Sequence, residues 1–157
     1  NLRVFIICFN EDNMKNFTPA VQKAKELTLL PLTVFINPWA LINFLNSIYL
    51  ILIHYSEIKV LDHRKINFEE SCGSFIGYAA EVQRSYSVEV TSFNEKAEKT
   101  TKSFTGWNSR IIQHENDHLD GVLFSDIMDQ KTLRCTNYQI INQKAGRVEI
   151  PYYPKKS

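Results

Sequence analysis

Residues 114–118 read His-Glu-Asn-Asp-His, an H-E-x-x-H pentad set in a stretch whose pattern is helical. Residues four apart on a helix differ by only about 40° around its axis, so the imidazoles of His114 and His118 can reach the same divalent ion. Glu115 then lies about 60° to the side of His118, placed to handle the water on such an ion without ligating it. Two imidazoles beside a free carboxylate suit metal-assisted hydrolysis. The blander reading is a charged helix whose histidines pair with neighbouring carboxylates, because the pentad also arises by chance.

The third ligand separates the hydrolase classes. A metzincin would continue through Gly-x-x-His; Gly121 is in place, but Phe124 stands where the histidine is required. Other zincins use a downstream glutamate, and beyond His118 only Glu149 qualifies, in a polar tail. A zincin-type metallopeptidase is therefore the weaker alternative. Cys72 precedes His114 by 42 positions, within Glu69-Glu70-Ser71-Cys72-Gly73-Ser74. One thiolate, two imidazoles and a water complete a four-coordinate catalytic site. A lone cysteine is more often a small buried hydrophobe, but the polar neighbours Glu70, Ser71 and Ser74 argue against that here.

The elements that must position these residues follow from pattern. Trp107, Ile111, His114 and His118 recur at helical spacing after Thr105-Gly106, which predicts a helix over 106–118 with Trp107 and Ile111 anchoring it, stopping after Asp120-Gly121. Residues 2–9 (LRVFIICF) form a nearly continuous apolar run, expected to be a core strand covered on both faces. Thr18-Pro19 opens a short helix or a lid-like loop over helix formers up to Leu27, and 32–36 (LTVFI) is strand-like up to the turn signal Asn37-Pro38. Short strands are expected around Ile58 and Val60, around Ile66 and Phe68, and over 87–93, the last pairing with 99–104 as a hairpin lacking a turn glycine. The predicted class is α+β, a single domain over 1–150, with 151–157 a disordered tail.

Composition narrows the partners. Eighteen Lys and Arg against seventeen Asp and Glu leave a formal charge of +1, too small a field to imply nucleic acid or an anionic membrane. Three cysteines, Cys8, Cys72 and Cys135, are too few and odd in number for a disulfide-stapled domain, so a thiol is expected to be free for metal. The chain opens at Asn1 without a basic leader, which suggests a removed presequence or a fragment. Residues 39–53 (WALINFLNSIYLILI) are strongly apolar, yet they fall short of the 18 or so residues of a membrane span.

Residues 70–74 (ESCGS) resemble the second motif of the peptide deformylase family, E-G-C-L-S, and 113–121 (QHENDHLDG) resemble its third, Q-H-E-x-D-H-L-x-G, at a matching separation. Residues 35–38 are similar to the family's F-x-N-P segment, and Gly106-Trp107 with Arg110-Ile111-Ile112 resemble its mitochondrial branch. The resemblance implies a mitochondrial hydrolase that removes the formyl group from the N-terminal methionine of nascent polypeptides, with the ribosome as the place of encounter. It implies Cys72, His114 and His118 as ligands, Glu115 as base and acid, and ferrous iron as the metal, although zinc, cobalt or nickel suit the same donors. In the family an oxyanion donor is the backbone N–H of the leucine that Gly73 replaces here; any residue supplies that N–H, glycine less rigidly. The family's first motif, G-x-G-x-A-A-x-Q, would fall just before Leu2, and its glutamine normally assists the oxyanion. A catalytically impaired relative or a partial gene product is the alternative. Joining Pro38 to Glu57 restores F-I-N-P-E-I-K-V-L-D, so 39–56 is expected to be an insertion foreign to the fold that protrudes from the domain.

Overall fold

The computed structural model describes residues 3–37 and 57–147, so the expected insertion 39–56 and tail 151–157 lie outside the described residues. The elements run β1 Arg3–Phe9, α1 Glu11–Lys15, α2 Pro19–Ala24, β2 Leu30–Asn37, β3 Glu57–Cys72, β4 Phe75–Phe93, β5 Lys99–Thr105, α3 Gly106–Leu119, α4 Phe124–Ile127, β6 Arg134–Cys135 and α5 Tyr138–Gln143. The strands join in the order β1-β2-β4-β3, and β5 and β6 also pair with β4. The pairings β1–β2, β2–β4, β4–β5 and β4–β6 are antiparallel. With its few helices, this is the α+β class expected. No helix among the described residues is long and apolar enough to cross a membrane.

Contacts group the chain into two compact units, one drawn from Asn1–Lys65 and Arg84–Gly121, the other from Ile66–Gln83 and Val122–Ser157. The first closes over Phe5, Ile7, Phe9, Leu30, Phe35, Val88, Val90, Phe104 and Ile112. Register places Phe5 opposite Phe35, and their rings stack at 4.7 Å while Phe104 meets Phe35 edge-on at 6.0 Å. β1 was expected to be covered on both faces, but only one is: Phe5, Ile7 and Phe9 are buried, whereas Ile6 is 58% exposed and Cys8 is exposed. A continuous apolar run carries no alternation, so its pattern cannot distinguish one covered face from two.

Local chemistry explains where the elements of this unit start and stop. Thr18 Oγ1 accepts the Val21 N–H at 3.4 Å and Pro19 fills the first turn of α2. The helix ends at Ala24, short of Leu27, because Glu26 turns left-handed (φ 50°) and the Leu27 N–H folds back to the Gln22 carbonyl at 3.0 Å. The β4–β5 hairpin runs in register from Ser87↔Thr105 to Phe93↔Lys99. It turns without glycine because Asn94 Oδ1 accepts the N–H groups of Lys96 and Glu98, both at 2.9 Å, and Ala97 takes the positive φ of 60°.

The second unit packs Ala80, Val82 and Phe124 together, with Cys72, Phe75 and Met128 partly buried against them. Arg134 clasps Glu69 with two guanidinium N–H groups at 2.5 and 2.7 Å, and β6 pairs Cys135 with Tyr78. One expectation is corrected here. The short runs around residues 58–60 and 66–68 belong to one sixteen-residue strand that reaches Cys72, and only Gly73 and Ser74 form the turn into β4. The polar tail expected around Glu149 is preceded by structure: Asp129 Oδ1 accepts the Lys131 N–H at 3.0 Å to open a short 3-10 turn, followed by β6 and α5.

Candidate metal centre

Helix α3 carries the pentad, as its spacing predicted. Thr105 is its N-cap, and Gly106 adopts a φ of +56° that a side chain rarely takes; a Cβ there would stand 3.1 Å from the Glu26 Cβ. At the other end Gly121 (φ +76°) sends its N–H to the His118 carbonyl at 3.2 Å, which closes the last turn. The rings of His114 and His118 lie 4.8 Å apart between centroids and nearly perpendicular, at 89°. Both histidines and Glu115 are half-buried.

The anchoring of this helix differs from the expectation. Ile111 packs only partly against the core, and Trp107 is half-buried with the Lys25 ammonium 3.7 Å over its ring. The positions with no exposure are Ser109 and Ile112. Ser109 is tolerated inside because its hydroxyl donates to the Ser85 carbonyl at 3.0 Å. Hydrophobicity alone misplaces the buried stripe, since it gives no weight to a serine whose partner lies on a distant strand.

The same strand engages two more residues of α3. Gln113 Oε1 accepts the Ser85 N–H at 3.0 Å, and its Nε2 donates to the Ser85 carbonyl at 2.9 Å. Asp117 pairs with the buried guanidinium of Arg84. Sequence reasoning quoted Gln113 and Asp117 within a motif and gave them no task; the available signal was the i, i+4, i+8 spacing of Ser109, Gln113 and Asp117.

Cys72 ends β3, half-buried, and its Sγ accepts the Ser74 N–H at 3.4 Å. Cys72 belongs to the second unit and His114 and His118 to the first, and they offer one sulfur and two imidazoles as donors. A soft sulfur with two imidazoles suits zinc, ferrous iron and their neighbours, and the residues fit such a group. Gly73 occupies the exposed turn beside Cys72, and a Cβ there would meet nothing within 4 Å, so glycine is not demanded by space.

The family model for polypeptide deformylase matches residues 1–134. The human mitochondrial peptide deformylase is 32% identical over 124 residues, 79% of this chain and 44% of that protein. A chloroplastic/mitochondrial peptide deformylase 1A of Arabidopsis thaliana is 39% identical over 80 residues, 51% of this chain and 30% of its own length. Among solved structures, a peptide deformylase of Synechococcus elongatus in complex with actinonin aligns with a TM-score of 0.51 at 28% identity, over 76% of this chain and 54% of that one. Peptide deformylase 1B of Arabidopsis thaliana, in complex with an inhibitor, aligns with a TM-score of 0.50 at 29% identity, over 72% and 50%. The chain spans less than half the length of these two curated relatives. With the family's description covering most of the chain, and its strands and helices aligning with solved members, the chain belongs to the polypeptide deformylase family.

Proposed function

We propose that this chain carries the catalytic body of a metal-dependent hydrolase that removes the formyl group from the N-terminal methionine of newly made polypeptides. The observation that carries the reading is the pair His114 and His118 on α3, their rings 4.8 Å apart with Glu115 next in chain to His114, in a chain that the polypeptide deformylase family model matches over residues 1–134. Those three residues would hold the ion, ferrous iron by preference, with zinc, cobalt or nickel also suited to the donors. When bound, such an ion supplies Lewis acidity toward water and toward a carbonyl oxygen.

Glu115 takes the proton from the attacking water and delivers it to the departing amine nitrogen, serving first as base and then as acid. The Gly73 N–H, at the turn beside the cysteine, donates to the oxyanion that develops on the formyl oxygen. The substrate is a formyl-methionyl polypeptide, met as it leaves the ribosome, and the likeness to the human mitochondrial relative favours a mitochondrial address.

The test is Glu115→Gln. The variant keeps the shape of the side chain and should retain metal by elemental analysis, while hydrolysis of a formyl-Met peptide falls by about 10²–10⁴-fold, the usual worth of a positioned general base. Unchanged turnover would remove Glu115 from the mechanism, and a wild-type chain that hydrolyses formyl-Met peptides without any bound metal would remove the ion.

A further inference from the structure

Ser109, Gln113 and Asp117 form one stripe of α3, each about 40° around the axis from the last. All three are bonded to two consecutive residues of β4. Ser109 Oγ and Gln113 Nε2 both donate to the Ser85 carbonyl, Gln113 Oε1 accepts the Ser85 N–H, and Asp117 meets Arg84, whose side chain is only 6% exposed. Gln113 Nε2 also donates to Ser109 Oγ at 3.0 Å, and the Lys65 ammonium donates to Ser85 Oγ at 2.8 Å, so the strand residue is held from both sides. The Gln113 amide thus pairs with a strand residue much as a neighbouring strand would. Contact with both the N–H and the carbonyl resists sliding and rotation together, which a single bond does not.

His114 and His118 each follow one member of the stripe directly, about 100° further around the helix. We propose that this polar seam is a rotational lock for the metal ligands, with Gln113 as the chief positioning residue and the Arg84–Asp117 pair as its second point. This rests on the metal-site reading above. A helix side chain ends about 5–6 Å from the axis, so a 10° roll of α3 displaces an imidazole by about 1 Å. Ligand and catalytic groups need to be held within about 0.5 Å, so an unlocked helix would present the two histidines poorly even in a folded chain. An apolar contact of equal area would hold the helix against the sheet without fixing its angle, which accounts for buried polar groups at this place.

The full chain loaded with Co2+ provides a readout independent of turnover, through the metal dissociation constant and the visible ligand-field spectrum. Gln113→Ala should weaken Co2+ binding by about 10–100-fold, the usual loss when an outer partner of a metal ligand is removed, and should shift the spectrum. Asp117→Asn, which keeps the shape and removes the charge opposite Arg84, should move both in the same direction by less, and it carries the test if Gln113→Ala does not fold. Val88→Ala, an apolar truncation in the core that removes none of the seam's side-chain hydrogen bonds, should lower thermal stability while leaving both readouts as in the wild type. Wild-type affinity and spectrum in both seam variants, with only thermal stability reduced, would overturn the lock and leave the metal reading standing. Failure of the unsubstituted chain to bind Co2+ would overturn the metal reading and the lock with it.

Discussion

Each of the two compact units closes on its own core, and the two cores differ greatly in size. The first closes over Phe5, Phe9, Phe35 and Phe104 with six further partly buried apolar neighbours, so α3 and its two histidines rest on an extensive apolar base. Among the described residues the second clusters Ala80, Val82 and Phe124, and Cys72 packs against that small cluster. Buried apolar area sets most of the stabilisation, at about 25 cal/mol per Å², and alanine contributes little of it. The proposed metal ligands therefore differ in support: two stand on the strong unit and one on the weak unit.

Removing the one large side chain from the smaller core is the severest test of that contrast. Phe124→Ala should cost about 3–5 kcal/mol, and amide exchange should show protection lost over residues 78–82 while residues 5–9 remain protected. Equal loss in both stretches would mean that the two cores do not differ in the way described. Ile112→Val in the larger core deletes a single methylene from a site with no exposure. It should lower stability by about 0.5–1.5 kcal/mol in a urea titration without changing exchange over residues 78–82.

A smaller effect concerns the surface of the first unit. Tyr86 donates its hydroxyl to Glu26 Oε2 at 2.6 Å, and that bond, followed by desolvation and the carboxylate charge, holds its pKa above the usual phenol value. The bond contributes stability below the unfolded value near 10, and the contribution fades as pH rises through the higher folded value. Glu26→Gln should bring the alkaline titration of Tyr86 down toward the ordinary range, read as tyrosinate absorbance against a Tyr86→Phe blank. An unmoved midpoint would discard the Glu26 bond as the cause.

How much of this was legible in sequence depends on where each residue's partner lies. Helix α3 was readable because its evidence is local: Thr105-Gly106 before it, periodic positions within it and Gly121 after it. The pentad and Cys72 stood out as candidate donors for the same reason, since residue type and spacing carry that signal. Most of β4 was not. Residues 75–86 mix Ala79, Ala80, Arg84 and Ser85 at buried positions with Glu81 and Gln83 exposed, so an alternating strand is present but its inward face does not look hydrophobic. Ser85 and Arg84 are buried because Ser109, Gln113 and Asp117 satisfy them from some 24 to 33 residues away in sequence, a relation that no window of local pattern contains. The exposed outer face of β1 was missed for the opposite reason, because Ile6 is apolar and suggests burial that the fold does not provide.

The central claim is that Cys72, His114 and His118 bind one ion together. It is tested most directly by absorption spectroscopy of the full chain titrated with Co2+, alongside the Cys72→Ser variant. The account predicts one equivalent bound by the wild type, with a near-ultraviolet thiolate-to-cobalt charge-transfer band and the strong visible bands of a four-coordinate site, and loss of the charge-transfer band in Cys72→Ser. A wild-type complex without that band, or the same band surviving in Cys72→Ser, would show that the cysteine is not a ligand and would contradict the account.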